Sequence, residues 1–416
     1  MNFSITKNIF VVLSMMTFLL AGMFFVLSKS EIKNNKNFSN QIASLLYVTE
    51  KSVTEKIEEI DFSKKIENPP EIINAVYVSG WSAGSNSYRN YLVNLLQNTE
   101  INAVVIDIKD SSGNVFLSEK LIPDINEFVK FLHKHNIYVI GRIAVFEDPK
   151  YAVAHPELAI YNKEKTTDIL KPVLWKDYNG LYWLDPASKQ VWDYNILLAK
   201  DAFSRGFDEI NFDYIRFPSD GDIKNMGFPV FNKNLKNKES KQQVIKRFFK
   251  YLRRELSGEK ISADLFGQTT IENSDMGIGQ KIEDAFEYFD FVCPMVYPSH
   301  YAVGFAGYKN PAEYPYQVVK YSILNAQIKK KTNLELQRIL YNEPSGSPAL
   351  EAKIVEYNPP LGQLRPWLQD FDMGADYTAS MIKSEIKAVK ELGKDYYGFM
   401  MWNARNIYTK EAVLKE

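Results

Sequence analysis

Hydrophobic and polar residues alternate with a two-residue period along residues 206–218, which is the pattern of a β-strand. One face of this strand is apolar, and the other face carries Glu209, Asn211 and Asp213. A buried carboxylate is costly unless it is paired or functional. The polar face therefore predicts either a hydrogen-bonded structural network or the floor of an active site.

Further apolar segments of strand length alternate with amphipathic segments of helical spacing. The other strands are predicted at 75–78, 103–109, 138–145, 261–266, 289–297, 363–368 and 396–402. The helices between them are predicted at 88–96, 125–135, 242–256, 316–328 and 381–392, and one more helix is predicted to be capped by Asp185 and to begin at Pro186.

Eight strands, each followed by a helix or a helix-sized segment, predict an α/β fold, a (β/α)8 TIM barrel with loop insertions over residues 72–416. The insertions are predicted after strands three, four, six and seven. An open doubly wound sheet is the alternative, but no glycine-rich phosphate loop follows the first strand.

An uncharged apolar run at residues 9–27 precedes the predicted barrel and is long enough to cross a bilayer. No small-residue cleavage site follows it, which favours an uncleaved membrane anchor, residues 1–29, over a removed signal peptide. Residues 30–71 are rich in Lys, Asn, Glu and Ser and predict a stalk or linker. Under either interpretation the barrel is exported. It is membrane-anchored on the periplasmic or extracellular face if the segment is retained, and secreted if the segment is cleaved.

The charge balance gives no electrostatic reason to expect a nucleic-acid partner, because 50 basic and 51 acidic residues leave a net charge of -1. The single cysteine, Cys293, excludes an intramolecular disulfide and is predicted to lie in the core. None of the four histidines belongs to a zinc-like motif, and neither a nucleophile elbow nor a Walker loop is present. We therefore expect no metal and no cofactor.

Polar residues at the C-terminal ends of the predicted strands would converge at one mouth of the barrel. Asp213 and Asp264, on adjacent strands, are the predicted catalytic pair. The predicted substrate-binding residues are Asp107, Lys109, Arg142, Glu147, Arg216, Tyr297, Trp367, Gln369, Asp370, Trp402 and Asn403.

Two carboxyl groups in different states of protonation are what hydrolysis of a glycosidic bond requires. One must be neutral to protonate the leaving oxygen, and the other must be ionised to attack or to activate water. Arg142 and Arg216 are predicted to lie beside Asp213, which suits a nucleophile or base. The apolar neighbours of Asp264 would raise its pKa and suit an acid.

Five motifs of the chain, taken together, resemble a bacterial family of largely uncharacterised glycoside hydrolase domains. They lie at residues 206–218, 262–267, 293–301, 365–371 and 398–403. The resemblance implies a TIM barrel related to α-amylase and α-galactosidase glycosidases, in which an aspartate ending strand four, here Asp213, serves as nucleophile. Those enzymes often place the acid on strand five, where this chain has Asp264 instead of the glutamate common in α-amylases. Glu147 and Asp370 are the alternative acids.

The sequence thus predicts an exported, membrane-tethered glycoside hydrolase that acts on a cell-envelope or extracellular polysaccharide. The alternative is a non-catalytic, glycan-binding envelope scaffold with a degenerate glycosidase barrel. The separation of the two carboxyl groups distinguishes the cases. About 5–5.5 Å indicates a retaining enzyme and about 6.5–9.5 Å an inverting one, whereas groups that point apart, or that are capped by salt bridges with no cleft, favour the scaffold.

Overall fold

The computed structural model describes residues 65–117, 121–122, 124–236, 239–342 and 362–415. The predicted anchor and nearly all of the predicted stalk lie outside these residues. Among the described helices, none combines the length and apolar character that a membrane span requires. The anchor, the stalk and the domain boundaries at residues 29 and 71 therefore stay predictions.

The strands of the described residues number eleven. They are β1 Ile73–Val78, β2 Ala103–Lys109, β3 Tyr138–Ala144, β4 Tyr161–Asn162, β5 Glu209–Asp213, β6 Met226–Gly227, β7 Lys260–Phe266, β8 Phe291–Met295, β9 Gln363–Leu364, β10 Trp367–Gln369 and β11 Gly398–Trp402.

The α-helices of the same residues number ten. They are α1 Gly80–Ala83, α2 Asn86–Gln97, α3 Ile125–Lys134, α4 Pro149–Ala154, α5 Lys189–Ser204, α6 Phe231–Lys236, α7 Lys241–Glu255, α8 Ile282–Tyr288, α9 Pro315–Asn342 and α10 Ala379–Lys390.

The main sheet closes into a barrel of parallel strands. Strands β1, β2, β3, β5, β7 and β8 pair in that order, and β9 and β10 together occupy the seventh position. Strand β10 pairs with both β8 and β11, and β11 pairs with β1. Each parallel step needs a crossover, and the helices supply it. The predicted TIM barrel is confirmed.

Most predicted strands and helices agree with the structure within a few residues, but the helix before β5 begins later than predicted. Its first residue is Lys189, not Pro186, and Ser188 precedes it as the N-cap residue. The Asp185 carboxylate instead accepts hydrogen bonds from the backbone N–H groups of Ala187, Val230 and Phe231. Asp185 therefore ties the start of the crossover to the insertion after β5.

The barrel interior is lined by a small set of buried residues, distinct from the larger core between strands and helices. It includes the small and aliphatic residues Ala75, Ala103, Val105 and Ile140 together with Cys293, and side chains of this kind fill the interior of a narrow barrel. Cys293 is fully buried, so its predicted place in the core is confirmed.

The polar face of β5 points into this interior, and each of its three residues meets a different partner. Glu209 pairs with Arg365, and the Asn211 amide donates to Asp264 at 2.8 Å. Asp213, the last residue of the strand, pairs with Arg142. The two-residue period of one strand thus sets three levels of polar contacts along the barrel axis.

The segment after β3 forms a small antiparallel layer over one side of the barrel mouth. Strand β4 pairs with β6, and isolated bridges join Glu147 to Trp183 and Ala159 to Leu184. The Trp183 indole is buried and donates to the Asp177 carboxylate at 3.0 Å. This layer holds Glu147 and Trp183 beside the C-terminal end of β5.

Candidate active site

A cavity of about 360 Å³ opens at the C-terminal ends of the barrel strands. This is where the active sites of such barrels lie, and the volume is within the range of small-molecule sites. Seven of the predicted site residues line it: Arg142, Asp213, Arg216, Asp264, Tyr297, Trp367 and Trp402.

Arg142 on β3 holds the carboxylates of two neighbouring strands. Its Nε and Nη2 atoms donate to Asp213 Oδ2 at 3.1 and 2.6 Å, and its Nη1 donates to Asp107 Oδ1 at 2.6 Å. The Tyr77 hydroxyl donates to the other oxygen of Asp107 at 2.6 Å. Asp107 therefore lies behind Arg142 and fixes the guanidinium, which in turn presents Asp213 to the cavity.

Asp213 ends β5 at a sharp change of backbone direction. The next residue, Tyr214, has a φ of 52°, in the left-handed region that non-glycine residues seldom adopt. Its backbone N–H donates to Asp213 Oδ1 at 2.6 Å, so the carboxylate accepts three hydrogen bonds in all. Backbone strain of this kind concentrates at functional sites.

Asp264 on β7 is almost completely buried beside Asp213. Its Oδ1 atom accepts hydrogen bonds from Asn211 Nδ2 at 2.8 Å and from Trp367 Nε1 at 2.7 Å. Burial raises the pKa of Asp264 well above its usual range, and the neighbouring charge of Asp213 raises it further. A neutral carboxyl group and a hydrogen-bonded carboxylate therefore share the floor of the cavity.

The separation of the two carboxyl groups is limited by their common neighbour. Asp213 Oδ2 lies 3.1 Å from Arg142 Nε, and Asp264 Oδ2 lies 4.0 Å from the same atom. The two Oδ2 atoms are consequently at most about 7.1 Å apart, the two distances combined. Both groups point at one guanidinium and so do not point apart.

Aromatic side chains form a wall above Arg142. Trp402 stacks on Tyr77 with the ring centroids 4.0 Å apart, and Trp367 meets Trp402 edge to face at 5.8 Å. The Arg142 guanidinium lies 5.3 Å from the Trp402 ring. Because Trp367 also donates to Asp264, it both orients a carboxyl group and lines the cavity.

Arg216 does not pair with Asp213, contrary to the sequence-based expectation. Its Nη1 atom donates to the backbone oxygen of Phe217 at 3.1 Å and to Ser219 Oγ at 3.2 Å. The guanidinium lies between the rings of Trp183 and Phe266, at 4.7 and 4.6 Å. Ring faces attract such a cation without neutralising its charge.

Glu147 lies at the edge of the same region and is 5 % exposed. No described residue donates a hydrogen bond to its carboxyl group or forms an ion pair with it. Burial raises the pKa of Glu147 to about 8, and the charge of Asp177 adds to that effect. Glu147 is therefore a second carboxyl group held neutral near pH 7.

Lys109 points away from the cavity, which is not what alternation along β2 predicts. The register of β2 against β3 shifts between Asp107 and Lys109, so the two residues do not share a face. Lys109 instead donates to Asp148 at 2.7 Å outside the barrel, where both side chains are buried. Substrate contact by Lys109 is not supported by this position.

The remaining predicted residues lie near the mouth but do not line the cavity. Asp370 accepts hydrogen bonds from the backbone N–H and Oγ1 of Thr409 at 2.9 and 2.8 Å. Asn403 donates to the backbone oxygens of Asp370 and Ile407, and Gln369 donates to the backbone oxygen of Phe371. These contacts brace the loops after β10 and β11.

Several cavity residues were missed: Phe266 and Met295 are the last residues of β7 and β8, and the others come from segments outside the strands, where no period marks an inward side chain. The missed residues are Tyr214, Phe266, Gly267, Gln268, Gln280, Met295, His300 and Tyr301. His300 lies within one of the motifs that resemble glycosidases, which was the available signal. Burial lowers the pKa of His300, so its imidazole is neutral near pH 7.

Within the described ranges, no group of three or more His, Cys, Asp and Glu side chains is placed to hold a metal ion. The described site thus combines two carboxyl groups on either side of the Arg142 guanidinium, the second guanidinium of Arg216 and an aromatic wall. A closed (β/α)8 barrel with paired acids at this face has the architecture that glycoside hydrolases use.

The chain belongs to the family whose model is described as "Putative glycosyl hydrolase domain", which matches residues 75–408. The glycosidase resemblance of the sequence motifs is thereby confirmed.

Solved structures resemble the chain as well. A hypothetical protein from Ruminiclostridium thermocellum ATCC 27405 is 34% identical over 49% of this chain and 98% of its own, with a TM-score of 0.39. The PgaB (BpsB) glycoside hydrolase domain from Bordetella bronchiseptica is 12% identical over 80% of this chain and 95% of its own, with a TM-score of 0.51. At that identity the second likeness supports the fold alone.

An alpha-galactosidase from Thermus thermophilus, TtGalA, in complex with stachyose is 10% identical over 83% of this chain and 65% of its own, with a TM-score of 0.46. Comparison with curated proteins gives no significant match.

Proposed function

We propose that this protein is a glycoside hydrolase that cleaves O-glycosidic bonds in a cell-envelope or extracellular polysaccharide. The observation that carries the proposal is the pairing of Asp213 and Asp264 around Arg142 on the floor of the cavity. One group accepts three hydrogen bonds, and burial raises the pKa of the other well above its usual range. These are the environments that a nucleophile and an acid need.

The proposed reaction retains the configuration of the sugar. Asp213 attacks the anomeric carbon while Asp264 donates its proton to the leaving oxygen, and the glycosidic bond breaks. The Asp264 carboxylate then takes a proton from water, whose oxygen displaces Asp213 and restores both groups. The upper limit of about 7.1 Å on the Oδ2 separation excludes most of the range of inverting enzymes, about 6.5–9.5 Å.

The Asp264 proton belongs on Oδ2 in this scheme. Its Oδ1 atom already accepts hydrogen bonds from the N–H groups of Asn211 and Trp367. An oxygen that accepts two hydrogen bonds is the less favourable of the two oxygens to protonate. The Oδ2 atom faces Arg142 Nε at 4.0 Å, on the side of Asp213. Trp402 and Tyr297 give the cavity the flat apolar faces on which sugar rings stack.

We further propose that the apolar run at residues 9–27 tethers the exported barrel to a membrane, which would place it beside envelope polysaccharides. No metal or organic cofactor takes part in this chemistry.

Hydrolysis by the full-length chain across bacterial and plant polysaccharides tests the proposal. We expect Asp213→Asn and Asp264→Asn to lower reducing-end release by roughly 10²–10⁴-fold, because each removes a group that acts at the reacting atoms. Azide should restore activity to Asp213→Ala and yield a glycosyl azide, since a small anion replaces the lost nucleophile.

The exposed Asp168→Asn serves as the control and should keep full activity. Release that survives Asp213→Asn, with the fold intact by circular dichroism, would contradict the assignment of the nucleophile.

A glycan-binding scaffold is the second candidate, and one observation favours it. Asp264 is 1 % exposed and doubly hydrogen-bonded, as a structural carboxyl group would be. The scaffold predicts glycan binding without product release from any member of the panel, together with unchanged binding in Asp264→Asn. Product release that depends on Asp264 would exclude it.

A further inference from the structure

Arg216 places a charged guanidinium in the wall of the cavity. The residue follows Asp213 by three positions and is 7 % exposed. The rings of Trp183 and Phe266 hold it on two sides, and Tyr214 lies 5.6 Å away. Since Phe266, Tyr214 and Arg216 all line the cavity, the cation is part of its surface and does not belong to the core.

Only one nitrogen of this guanidinium is engaged by the described residues. Nη1 donates to the Phe217 backbone oxygen and to Ser219 Oγ. Nε and Nη2 donate to no described group. Neither atom is completely enclosed by the described residues, so both are accessible from the cavity. The Nε–Nη2 edge is therefore open, and it is the edge with which an arginine takes a carboxylate through two parallel hydrogen bonds.

The other buried arginines of the described residues are paired with acids. Arg142 binds Asp107 and Asp213, and Arg365 binds Glu209. No carboxylate of the described residues lies within 4.0 Å of the Arg216 guanidinium. A desolvated cation without a counter-ion costs free energy, so an unpaired one in a cavity wall points to an anion supplied by a ligand.

The neighbouring Glu147 does not supply this counter-ion. Its carboxyl group lies near enough to feel the charge of Arg216 but forms no ion pair with it. Because burial raises the pKa of Glu147 to about 8, the group is neutral near pH 7 and can donate a hydrogen bond to an anion. Glu147 thus neither occupies the open edge nor repels a negative ligand.

We propose that the Nε–Nη2 edge of Arg216 binds the carboxylate of an acidic sugar, so that the substrate is a polysaccharide with a uronic acid or similar carboxylated unit beside the cleaved bond. This inference rests on the proposed glycoside hydrolase function. It adds the chemical class of the substrate and assigns Arg216 as the residue that selects it.

Binding measured without turnover tests this inference independently of catalysis. The probes are oligogalacturonides, oligomannuronates and hyaluronan oligosaccharides, each paired with its carboxyl-reduced form, titrated calorimetrically into the full-length Asp213→Asn chain. We expect at least one acidic member to bind about tenfold or more tightly than its reduced counterpart, the effect of one bidentate ion pair. Added salt should reduce this difference in affinity between the acidic and the reduced ligand, because the contact is ionic.

Variants at Arg216 locate the preference. In the Asp213→Asn background, Arg216→Gln should bring the acidic and reduced ligands to equal affinity. Arg216→Lys should keep only part of the difference in affinity, because a lysine has the charge but cannot form two parallel hydrogen bonds with a carboxylate. Arg254→Gln, which removes an exposed arginine on α7, should leave the difference in affinity unchanged. Melting temperatures of the three variants show whether each remains folded.

Three results would overturn the inference: equal affinity for acidic and reduced forms, a preference that survives Arg216→Gln in a folded protein, or no binding by any acidic member. Cleavage by the unaltered chain is measured separately. Hydrolysis of neutral glycans without an acid preference would refute the substrate class alone, whereas an acid preference without hydrolysis would refute the proposed function alone.

Discussion

Glu147 is a buried carboxyl group to which no described residue donates a hydrogen bond, and it gives the stability of the protein a pH dependence. Burial raises its pKa from 4.5 in the unfolded chain to about 8 in the folded one. Between those values the folded state holds a proton that the unfolded state has lost. The contribution of Glu147 to the free energy of unfolding should therefore fall as the pH rises through this window and level off above about pH 8.

We expect Glu147→Gln to flatten this dependence, because an amide does not titrate. A tenfold difference in proton affinity between the folded and unfolded states is worth about 1.4 kcal/mol, so the variant should gain stability relative to the unaltered protein between pH 5 and pH 8 by a few kcal/mol. Urea unfolding at four pH values measures the difference. Glu127→Gln, at an exposed position in the first turn of α3, is the control and should produce no such gain. Parallel pH profiles for Glu147→Gln and the unaltered protein would refute the assignment.

Single residues also mark the limit of sequence reasoning. The alternation of β5 correctly predicted that Asp213 would face the barrel interior, because β5 is regular through its last residue. The same rule failed two strands away on β2, where the register shift between Asp107 and Lys109 turned Lys109 outward. A bulge depends on how two strands pair, and the residues of one strand do not encode it.

At the scale of elements, the entry into β11 depends on a glycine. Gly398 begins the strand with a φ of 102°, and its Cα lies opposite Ile73 on β1. A Cβ added there would overlap the backbone oxygen and carbon of Ile73, which cannot move without breaking the pairing. The final strand can therefore close the barrel only if this position has no side chain.

We expect Gly398→Ala to lower the free energy of unfolding by about 2–5 kcal/mol, the combined effect of an unfavourable φ and a backbone overlap. Gly393→Ala is the matched control, because Gly393 has a φ of 61° but nothing within 4 Å of its added Cβ. It should lose only about 1 kcal/mol. Urea unfolding compares the two, and equal losses would show that backbone conformation alone matters at Gly398.

Predicted elements were most accurate where one pattern decides the structure. Strand β2 and the start of α3 agree with the sequence, because an apolar run and a helical period leave one solution. The start of α5 was misplaced because Asp185 followed by Pro186 is a favourable sequence for a helix N-terminus. In the structure, the Asp185 carboxylate instead accepts hydrogen bonds from backbone N–H groups of the insertion after β5, which is distant in sequence. The cavity residues from the turns depend on tertiary contacts of the same kind.

At the scale of the whole molecule, the barrel combines two buried arginine–acid levels with different tasks. Arg142 and Asp213 lie at the mouth and border the cavity, whereas Arg365 and Glu209 lie deeper and are completely buried. Among the described residues, the Nε and Nη1 atoms of Arg365 have no nitrogen or oxygen hydrogen-bond partner. Its guanidinium lies 4.0 Å from the Phe291 ring.

The deeper level yields a prediction about how the fold is held together. Arg365→Met leaves the Glu209 carboxylate buried without its counter-ion, which should cost about 3–5 kcal/mol of the free energy of unfolding. Adding Glu209→Gln removes that stranded charge, and the amide can still meet Ser262 and Tyr138, which now donate to the carboxylate. The double variant should therefore recover about 1–3 kcal/mol relative to Arg365→Met.

Urea unfolding of the two single variants and the double variant measures this coupling. The exposed pair Lys189 and Asp193, studied through Lys189→Met and Asp193→Asn, is the control and should show a coupling of no more than about 0.5 kcal/mol, because water already solvates both charges. A double variant whose loss equals the sum of its single losses would mean that Glu209 does not depend on Arg365. Ser262 and Tyr138 would then be the contacts that stabilise Glu209. Burying Arg365, with two nitrogens that lack a hydrogen-bond partner among the described residues, would destabilise the fold by more than its ion pair with Glu209 stabilises it.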